Sequence, residues 1–319
     1  MCTAIALGNF AGRNLDIERG YGEALIITPK RFSLNFRKEE KIKEHFSFIG
    51  IGTIAQGYPL YFDAANEHGL YIAGLNYVGN AKYLTQKADK INLAPYELIP
   101  YILSRCKSIK EAKYELSRIN LINIPFSHEL PCSELHFFIA DKKSSITVEP
   151  DIDGLHVYDN PVGVLTNNPP FPMQMHNLSN YAGLSNGPLI NKLAPAIELG
   201  AYSRGMGAIG LPGDLSSQSR FVRAVFHREK LVKTENPCDL FHLLASVEMP
   251  KGSLKLGELY EYTLYSSVVD LVSLTYHFRT YDSMSAESIS LQTIDHFSRS
   301  LVTCPLGRQE KIIRTSSKA

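Results

Sequence analysis

The chain begins Met1-Cys2-Thr3-Ala4-Ile5-Ala6-Leu7, an apolar run that predicts a short strand with a cysteine at its start. Because cysteine is small, we expect methionine aminopeptidase to remove Met1 and leave Cys2 with a free α-amine beside its own thiol. A free α-amine has a pKa of about 7.7–8.0, which suits a general base near neutral pH. One residue then supplies nucleophile and base, as in amino-terminal Thr and Ser enzymes. Taken alone, Cys2 is equally compatible with the plain start of an edge strand.

A second informative segment, Gly12-Arg13-Asn14-Leu15-Asp16, follows after only ten intervening residues between Cys2 and Arg13. A guanidinium close to a thiol favours the thiolate, and a nearby carboxylate can hold and orient a protonated amine. The spacing predicts a tight turn that presents Arg13 and Asp16 at one spot. The alternative is a solvated ion pair on the surface.

Three further polar positions end apolar runs. Asn76 follows Ala73-Gly74-Leu75, Asn167 follows Gly163-Val164-Leu165-Thr166, and Arg220 lies at a predicted helix start after Gly210–Asp214. An Asn side chain at a strand end can donate to an oxyanion, a role worth about 3–4 kcal/mol. Singly, each Asn is also compatible with a turn residue, and Arg220 with a structural role.

Composition and charge exclude several classes of protein. The 319 residues carry a formal net charge of +1 without a basic stripe, which argues against nucleic acid or an anionic membrane as partner. The five cysteines are odd in number and widely spaced, which makes a disulfide framework or a zinc site unexpected. No apolar run reaches the roughly 20 residues of a membrane span, and the amino terminus does not have the pattern of a signal peptide. We therefore expect a cytoplasmic protein.

The apolar patterning predicts one α+β domain over residues 1–319, with antiparallel sheets flanked by helices. A helix is expected from near Pro95, and a second one from the capping box Ser108–Glu111 through Ile119. A long irregular segment is expected over 168–218. Strands are predicted at 3–7, 23–28, 47–54, 70–76, 135–140, 144–149, 155–158 and 162–166 and as two strands within 260–281, and helices at 219–231 and 238–248.

Together, these segments resemble the choloylglycine hydrolase family, which includes bile salt hydrolases and penicillin V acylases. The resemblance extends from Met1-Cys2-Thr3 to Tyr265–Asp282, and its motifs occur in the family order. It implies a four-layer αββα sandwich of the amino-terminal-nucleophile type and no metal or cofactor. It also implies a role for each matching residue: Cys2 as nucleophile, Arg13 as the arginine beside it, Asp16 as the aspartate contacting it, Asn76 and Asn167 as oxyanion-hole and substrate-positioning residues, and Arg220 as a second active-site arginine.

Within the family, Asn76 favours the bile salt hydrolases, because penicillin V acylases tend to carry Tyr at this position. Six residues match family positions that line an apolar pocket for the steroid: Leu15, Ala55, Tyr61, Phe62, Phe126 and Leu130. Ordinary core packing is the alternative for these six. The short spacing between Cys2 and Arg13 implies a trimmed first hairpin.

The resemblance implies hydrolysis of the amide bond of glycine- or taurine-conjugated bile acids, and a homo-oligomer, commonly a tetramer. Two alternatives stay open at the level of the sequence. One is a penicillin V acylase or N-acyl homoserine lactone acylase, and the other is a non-catalytic binder of bile acids or lipids on the same fold.

Overall fold

The computed structural model describes residues 1–232 and 236–307, which form two antiparallel sheets and the helices that cover them. The strands are β1 (Cys2–Leu7), β2 (Phe10–Ile17), β3 (Ala24–Thr28), β4 (Phe48–Ala55), β5 (Tyr58–Asn66), β6 (Tyr71–Asn76), β7 (Ile91–Leu93), β8 (Ile119–Leu121), β9 (Leu135–Ala140), β10 (Ser145–Asp151), β11 (Gly154–Asp159), β12 (Val164–Leu165), β13 (Leu254–Leu256), β14 (Leu259–Asp270), β15 (Thr275–Thr280), β16 (Glu287–Ser290) and β17 (Val302–Pro305). The helices are α1 (Leu98–Leu103), α2 (Ile109–Leu116), α3 (Phe171–Asn177), α4 (Ser217–Lys230) and α5 (Pro237–Ala245).

The first sheet has the strand order β12-β1-β2-β14-β15-β16, with β13 paired to β14. The second sheet has the order β11-β10-β9-β6-β5-β4-β3-β17. Both sheets are antiparallel throughout, whereas the small pair β7–β8 is parallel. Strand β1 therefore lies inside the first sheet, between β12 and β2, so its backbone is fixed from both sides.

Alternation along the second sheet sorts its apolar side chains into two layers. Leu25, Ile27 and Phe138 face the first sheet, whereas Ile26 and Phe137 face the other way and pack with α1 and α2. On the outer face of the first sheet, α4 and α5 pack against β1, β2 and β14. The layers are helix, sheet, sheet and helix, and the αββα sandwich implied by the resemblance is confirmed.

Several predicted elements differ in extent. Helix α2 ends at Leu116, and Ile119 begins β8 instead of extending the helical stripe. Its N-cap is confirmed in part: the Ser108 Oγ accepts from the Glu111 N–H at 3.4 Å, but the Glu111 carboxylate accepts from the N–H of Lys107 rather than from that of Ser108. The segment predicted as irregular over 168–218 contains α3.

The first hairpin is short because β1 and β2 are joined by only two residues, Gly8 and Asn9. Gly8 has a φ of 58°, the left-handed value that a tight hairpin turn requires at its first position and that Gly adopts at little cost. The register places Cys2 opposite Leu15 and Ala4 opposite Arg13. None of the helices in the described part of the chain has both the length and the apolar character that crossing a membrane requires.

Candidate active site

The first hairpin presents two different sets of side chains on its two faces. Cys2, Arg13 and Leu15 point to the inner face, defined here as the face toward the second sheet. Thr3, Asn14 and Asp16 belong to the alternate set and point to the helix face, toward α4 and α5. The tight turn predicted over 12–16 is therefore wrong: these residues lie in β2, paired with β1 on one side and β14 on the other. Arg13 and Asp16 are three residues apart, so the pleat directs them to opposite faces.

On the inner face, the Arg13 guanidinium holds the sulfur of Cys2. Its Nη2 donates to the Cys2 Sγ at 2.6 Å, and its Nη1 donates to the carbonyls of Phe62 at 2.9 Å and Gly74 at 2.6 Å. The ladder between β4 and β5 shifts register at this point, where Ile51 pairs with Asp63 and Gly52 with Tyr61. Phe62 is the extra residue of this bulge, so its carbonyl is released from the ladder and accepts from Arg13.

On the helix face, Arg220 binds the main chain of Cys2 and Asp16 lies beside Arg220. The Asp16 Oδ1 accepts from the Thr263 hydroxyl at 2.6 Å, while its Oδ2 is buried without a hydrogen-bond partner and lies 4.0 Å from Nη1 of Arg220. Arg220 Nη1 donates to the Cys2 carbonyl and to the Thr3 hydroxyl, both at 2.6 Å. Arg220 thus binds the backbone of Cys2, whereas Arg13 binds the sulfur.

The side chain of Asn167 connects the Cys2 nitrogen to Arg220 and to Asn76. Its Oδ1 accepts from the N–H of Cys2 at 2.9 Å and from Nη2 of Arg220 at 2.7 Å, and its Nδ2 donates to the Asn76 carbonyl at 2.7 Å. The Asn76 side-chain amide has no hydrogen-bond partner among the described residues and lies at the wall of the cavity that contains Cys2. Asn167 is therefore placed to orient the Cys2 nitrogen, and Asn76 has a free amide for a ligand.

Met1 is present in this structure and occupies the space beyond the Cys2 nitrogen. Its ammonium donates to the Asp16 carbonyl at 2.7 Å and contacts the Glu261 carboxylate, and the Asp16 N–H donates to the Met1 carbonyl at 2.9 Å. Met1 thus extends the pairing of β1 with β2 by one residue, and the Cys2 nitrogen is a peptide N–H.

Burial dominates the electrostatics of this cluster. It lowers the pKa of the Met1 α-amine, although the Cys2 and Asp16 charges oppose the shift. Burial also raises the pKa of Asp16, against Arg220, and lowers that of Arg220. Burial also acts to lower the pKa of Arg13. The negative groups around Arg13, of which Cys2 has the largest effect, outweigh burial and raise this pKa.

A cavity of about 390 Å³ opens above Cys2. Five of the six predicted pocket residues line it, namely Leu15, Tyr61, Phe62, Phe126 and Leu130. Ala55 does not. It is the last residue of β4 and pairs with Tyr58 across the turn formed by Gln56 and Gly57, so its methyl group lies at the hairpin tip and not at the cavity wall. Glu18, Arg19 and Glu129, which were not predicted, add charge to a lining that is otherwise mainly apolar.

Two site residues had no signal of their own in the sequence. Thr263 holds the Asp16 carboxylate, and Ser217 accepts from the Asn167 backbone N–H at 2.8 Å. Both are single hydroxyls in segments predicted as strand or irregular structure. Ser217 also contacts the Thr166 hydroxyl at 2.9 Å and so fixes the end of β12, from which Asn167 extends.

Comparisons with known proteins find relatives over almost the whole chain. The family model of linear amide C–N hydrolases, choloylglycine hydrolase family, matches residues 2–303. A bile salt hydrolase/transferase of Lactiplantibacillus plantarum is 47% identical, over 96% of this chain and 97% of that protein. The crystal structure of a mutant conjugated bile acid hydrolase from Clostridium perfringens superposes with a TM-score of 0.93 at 30% identity, covering 99% of this chain and 100% of that one. Penicillin V acylase from Agrobacterium tumefaciens has the same fold, with a TM-score of 0.76 at 19% identity, over 96% of this chain and 92% of that one.

Proposed function

The chain belongs to the choloylglycine hydrolase family of linear amide C–N hydrolases, and from this premise we propose that it hydrolyses glycine- or taurine-conjugated bile acids with Cys2 as the nucleophile. One observation carries the proposal: the Cys2 sulfur accepts from Arg13 at 2.6 Å at the base of a cavity of about 390 Å³ with mainly apolar walls. Relatives named as bile salt and conjugated bile acid hydrolases support the choice of substrate.

Before any turnover, the chain must be matured by removal of Met1, which converts the Cys2 nitrogen from an amide into an α-amine. In the structure this nitrogen already faces the Asn167 Oδ1 at 2.9 Å, and the buried Asp16 Oδ2 nearby has no hydrogen-bond partner. An ammonium at this position gains both as acceptors. The neutral amine takes the thiol proton, directly or through a water molecule, and Arg13 stabilises the resulting thiolate.

The thiolate then attacks the amide carbonyl and forms a tetrahedral intermediate. The free side-chain amide of Asn76 lies at the cavity wall and supplies a donor to the oxyanion, together with the second Nδ2 hydrogen of Asn167 and backbone N–H groups. The protonated amine of Cys2 gives its proton to the leaving nitrogen of glycine or taurine. Water hydrolyses the thioester that remains, and this step releases the bile acid and restores the thiol.

The cavity fits one amphipathic molecule of modest size. Its volume lies within the range of about 300–1,000 Å³ found for ligand sites. Leu15, Phe62, Phe126 and Leu130 give it apolar walls. Burial of the steroid against these walls contributes about 25 cal/mol per Å² of apolar surface removed from water. The apolar part of the substrate thus supplies most of the binding free energy, and the amide bond of the bound substrate lies next to Cys2.

The test is a substrate panel with the mature wild type, Cys2→Ser and Cys238→Ser. Mass spectrometry first establishes that Met1 has been removed. We expect the wild type to release glycine or taurine from conjugated bile salts, Cys2→Ser to lose nearly all turnover while staying folded, and Cys238→Ser, at an exposed thiol, to keep it. Penicillin V and acyl homoserine lactones are assayed in parallel. Turnover of these alone would sink the bile-salt assignment, and full turnover by Cys2→Ser would sink the mechanism.

A binding protein on the same fold differs from an enzyme in the reactivity of this thiol. In an enzyme, iodoacetamide alkylates Cys2 first, because its sulfur is held by a guanidinium. In a binder, alkylation is fastest at the exposed Cys238. Peptide mapping after brief alkylation separates the two functions without any substrate.

Three broader features belong to the same proposal. The chain acts as one catalytic domain over residues 1–319, works in the cytoplasm and assembles as a homo-oligomer, with a tetramer as the expected form. The single domain rests on the apolar patterning, the cytoplasm on the cysteine spacing and the amino-terminal sequence, and the homo-oligomer on the family resemblance. Size-exclusion chromatography with light scattering measures the assembly, and a monomer at working concentrations would contradict it.

A further inference from the structure

A second buried carboxylate, Asp63, is joined to the surroundings of Arg13 in two ways. It follows Phe62, whose carbonyl accepts from Arg13, and it accepts from Ser267, which pairs with Arg13 between β14 and β2. Asp63 is in β5, directly after the bulge residue Phe62, and its side chain is fully buried. It makes no hydrogen bond to Cys2, and it does not line the cavity above Cys2. Its sequence context, between Tyr61-Phe62 and Ala64-Ala65, is a lone carboxylate in an apolar run. A lone carboxylate of this kind is costly to bury unless it has partners.

Four hydroxyl groups from three other strands converge on this carboxylate. Asp63 Oδ1 accepts from the Tyr265 hydroxyl at 2.6 Å. Its Oδ2 accepts from the hydroxyls of Tyr276 at 2.5 Å, Ser267 at 3.2 Å and Tyr71 at 3.3 Å. An ionised carboxylate has about four lone-pair sites and donates nothing. All four hydroxyls donate to the carboxylate, and hydrogen bonds to the charged form favour that form, although burial raises the pKa of Asp63.

Arg13, in turn, has no carboxylate of its own. The hydrogen bonds of its guanidinium go to the Cys2 sulfur and to the carbonyls of Asn14, Phe62 and Gly74, and no ion pair within 4.0 Å joins it to a carboxylate in the two described ranges. A fully buried guanidinium needs negative charge close by. Asp63 is the carboxylate whose charge acts on it most directly, and the Arg13 charge is the largest factor that opposes the effect of burial on the pKa of Asp63.

We propose that Asp63, in its cradle of tyrosine and serine hydroxyls, is the buried counter-charge of Arg13 and thereby sets how strongly Arg13 attracts the Cys2 thiolate. It is a positioning residue that acts through Arg13 and does not touch substrate. The inference rests on the proposed function in taking the Cys2 sulfur as the nucleophile. With Asp63 ionised, the positive charge of Arg13 is shared between two anions and the thiolate stays a strong nucleophile.

The direction of the effect follows from the groups that face each anion. The groups that act on the Asp63 carboxylate come from four other strands. They are Arg13 in β2, Tyr71 in β6, Tyr265 in β14 and Tyr276 in β15. Around Cys2 the charged groups are Arg13 on the inner face, Arg220 and Asp16 on the helix face, and the α-amine. Replacing the Asp63 carboxylate by an amide leaves Arg13 held by its three carbonyls, but its charge then acts on the thiolate alone. Thiolate therefore forms at lower pH and attacks more slowly.

The experiment measures the rate of Cys2 alkylation by iodoacetamide against pH in mature wild type and Asp63→Asn, read by mass spectrometry of the amino-terminal peptide. We expect the midpoint of the profile to move toward acid by about one pH unit, with slower turnover at saturating substrate. An unchanged midpoint overturns the proposal. A shift toward alkaline pH also overturns it, because this shift means that Arg13 has lost its place and Asp63 is merely structural.

Two further variants keep the result decisive. Glu97→Gln is the matched control. Glu97 is also a buried carboxylate, but it accepts from the backbone N–H groups of Ala94 and Arg37. The midpoint of the Cys2 alkylation profile in this variant should equal that of the wild type. If Asp63→Asn fails to fold, the double variant Tyr265→Phe/Tyr276→Phe removes two hydrogen-bond donors to Asp63 and leaves the carboxyl group itself in place. It weakens the carboxylate form of Asp63 and should give a smaller shift toward acid, whereas no shift overturns the inference.

This design separates the inference from the proposed function. Alkylation needs no substrate, so a wild type that releases neither glycine nor taurine refutes the substrate assignment and leaves the alkylation profiles to decide on Asp63. Conversely, an active wild type with identical profiles in all variants refutes the role of Asp63 alone.

Discussion

The inner face and the helix face of the first hairpin handle two different atoms of the same residue. On the inner face, Arg13 holds the Cys2 sulfur, with the cavity above it. On the helix face, Arg220 donates to the Cys2 carbonyl, Asp16 lies beside Arg220, and Asn167 accepts from the Cys2 nitrogen. The pleat of β2 produces this division, because residues of odd separation point to opposite faces. The proposed nucleophile and the proposed base therefore have separate surroundings, although they belong to one residue, and the surroundings of each can be mutated separately.

The largest effect is expected on the inner face, with Arg13→Met. The change removes the group that stabilises thiolate, and we expect kcat/KM to fall about 100- to 1,000-fold and alkylation of Cys2 to slow at neutral pH. The variant also leaves the carbonyls of Phe62 and Gly74 without their donor, at about 1–3 kcal/mol each.

Arg13→Lys is the control for charge. It keeps a cation but not the fork that reaches sulfur and carbonyls together, so an intermediate rate is expected. Wild-type alkylation and turnover in Arg13→Met would break the assignment of the sulfur to the inner face.

On the helix face, Asp16→Asn should act on the base instead of the thiol. The Asp16 charge raises the pKa of the Met1 α-amine, against the lowering by burial. We expect it to act in the same direction on the Cys2 α-amine of the mature chain, so its removal should lower that pKa. The amine must be neutral to accept the thiol proton. The acid limb of kcat/KM should therefore move to lower pH, and the maximal rate should fall about 10- to 100-fold because the amine is less well oriented and less basic.

The two faces are compared by alkylating both variants. Asp16→Asn should alkylate at nearly the wild-type rate when the pH is high enough to form thiolate in both proteins, whereas Arg13→Met should not. A shift of the acid limb toward higher pH in Asp16→Asn would contradict the placement of Asp16 beside the amine.

The sequence supported much of this site but not its division into faces. The family resemblance pointed to one cluster of the residues at positions 2, 13, 16, 76, 167 and 220, and the structure brings all six together. The spacing of Arg13 and Asp16 was interpreted as a turn, because the polar segment Gly12–Asp16 has no apolar alternation. Its burial comes from long-range pairing with β14 and from packing under α5, neither of which local pattern reveals.

Partners from distant strands were the least predictable part. Thr263 holds Asp16 across 247 residues of sequence, and Tyr265 holds Asp63 across 202. A lone hydroxyl in a strand carries no local signal, whereas a lone carboxylate such as Asp63 in an apolar run does, since burial demands partners for it. Strands β2 and β5 were missed for the related reason that their polar residues are satisfied only by tertiary contacts.

A smaller effect is expected at the cavity wall that covers the inner face. Phe126 packs edge-on against Tyr96, with ring centroids 5.4 Å apart, and the Arg37 guanidinium lies 5.3 Å from its ring. Phe126→Ala removes apolar surface from the cavity wall that contacts the substrate and leaves the residues around the reacting amide unchanged. KM should therefore rise about tenfold, with kcat nearly unchanged. Steady-state kinetics on one conjugated bile salt measure this. A fall in kcat with constant KM would mean that the wall takes part in chemistry.

The smallest effect is expected at Ala55, which the family resemblance places in the pocket and the structure places at the tip of the β4–β5 hairpin. Thr53, two residues earlier in the same strand, does line the cavity and serves as its matched partner. Thr53→Leu should fill part of the cavity and raise KM several-fold, whereas Ala55→Leu adds its bulk at the tip and should leave KM and kcat as in the wild type. Equal increases in KM for both variants would show that the cavity extends to the hairpin tip when substrate is bound.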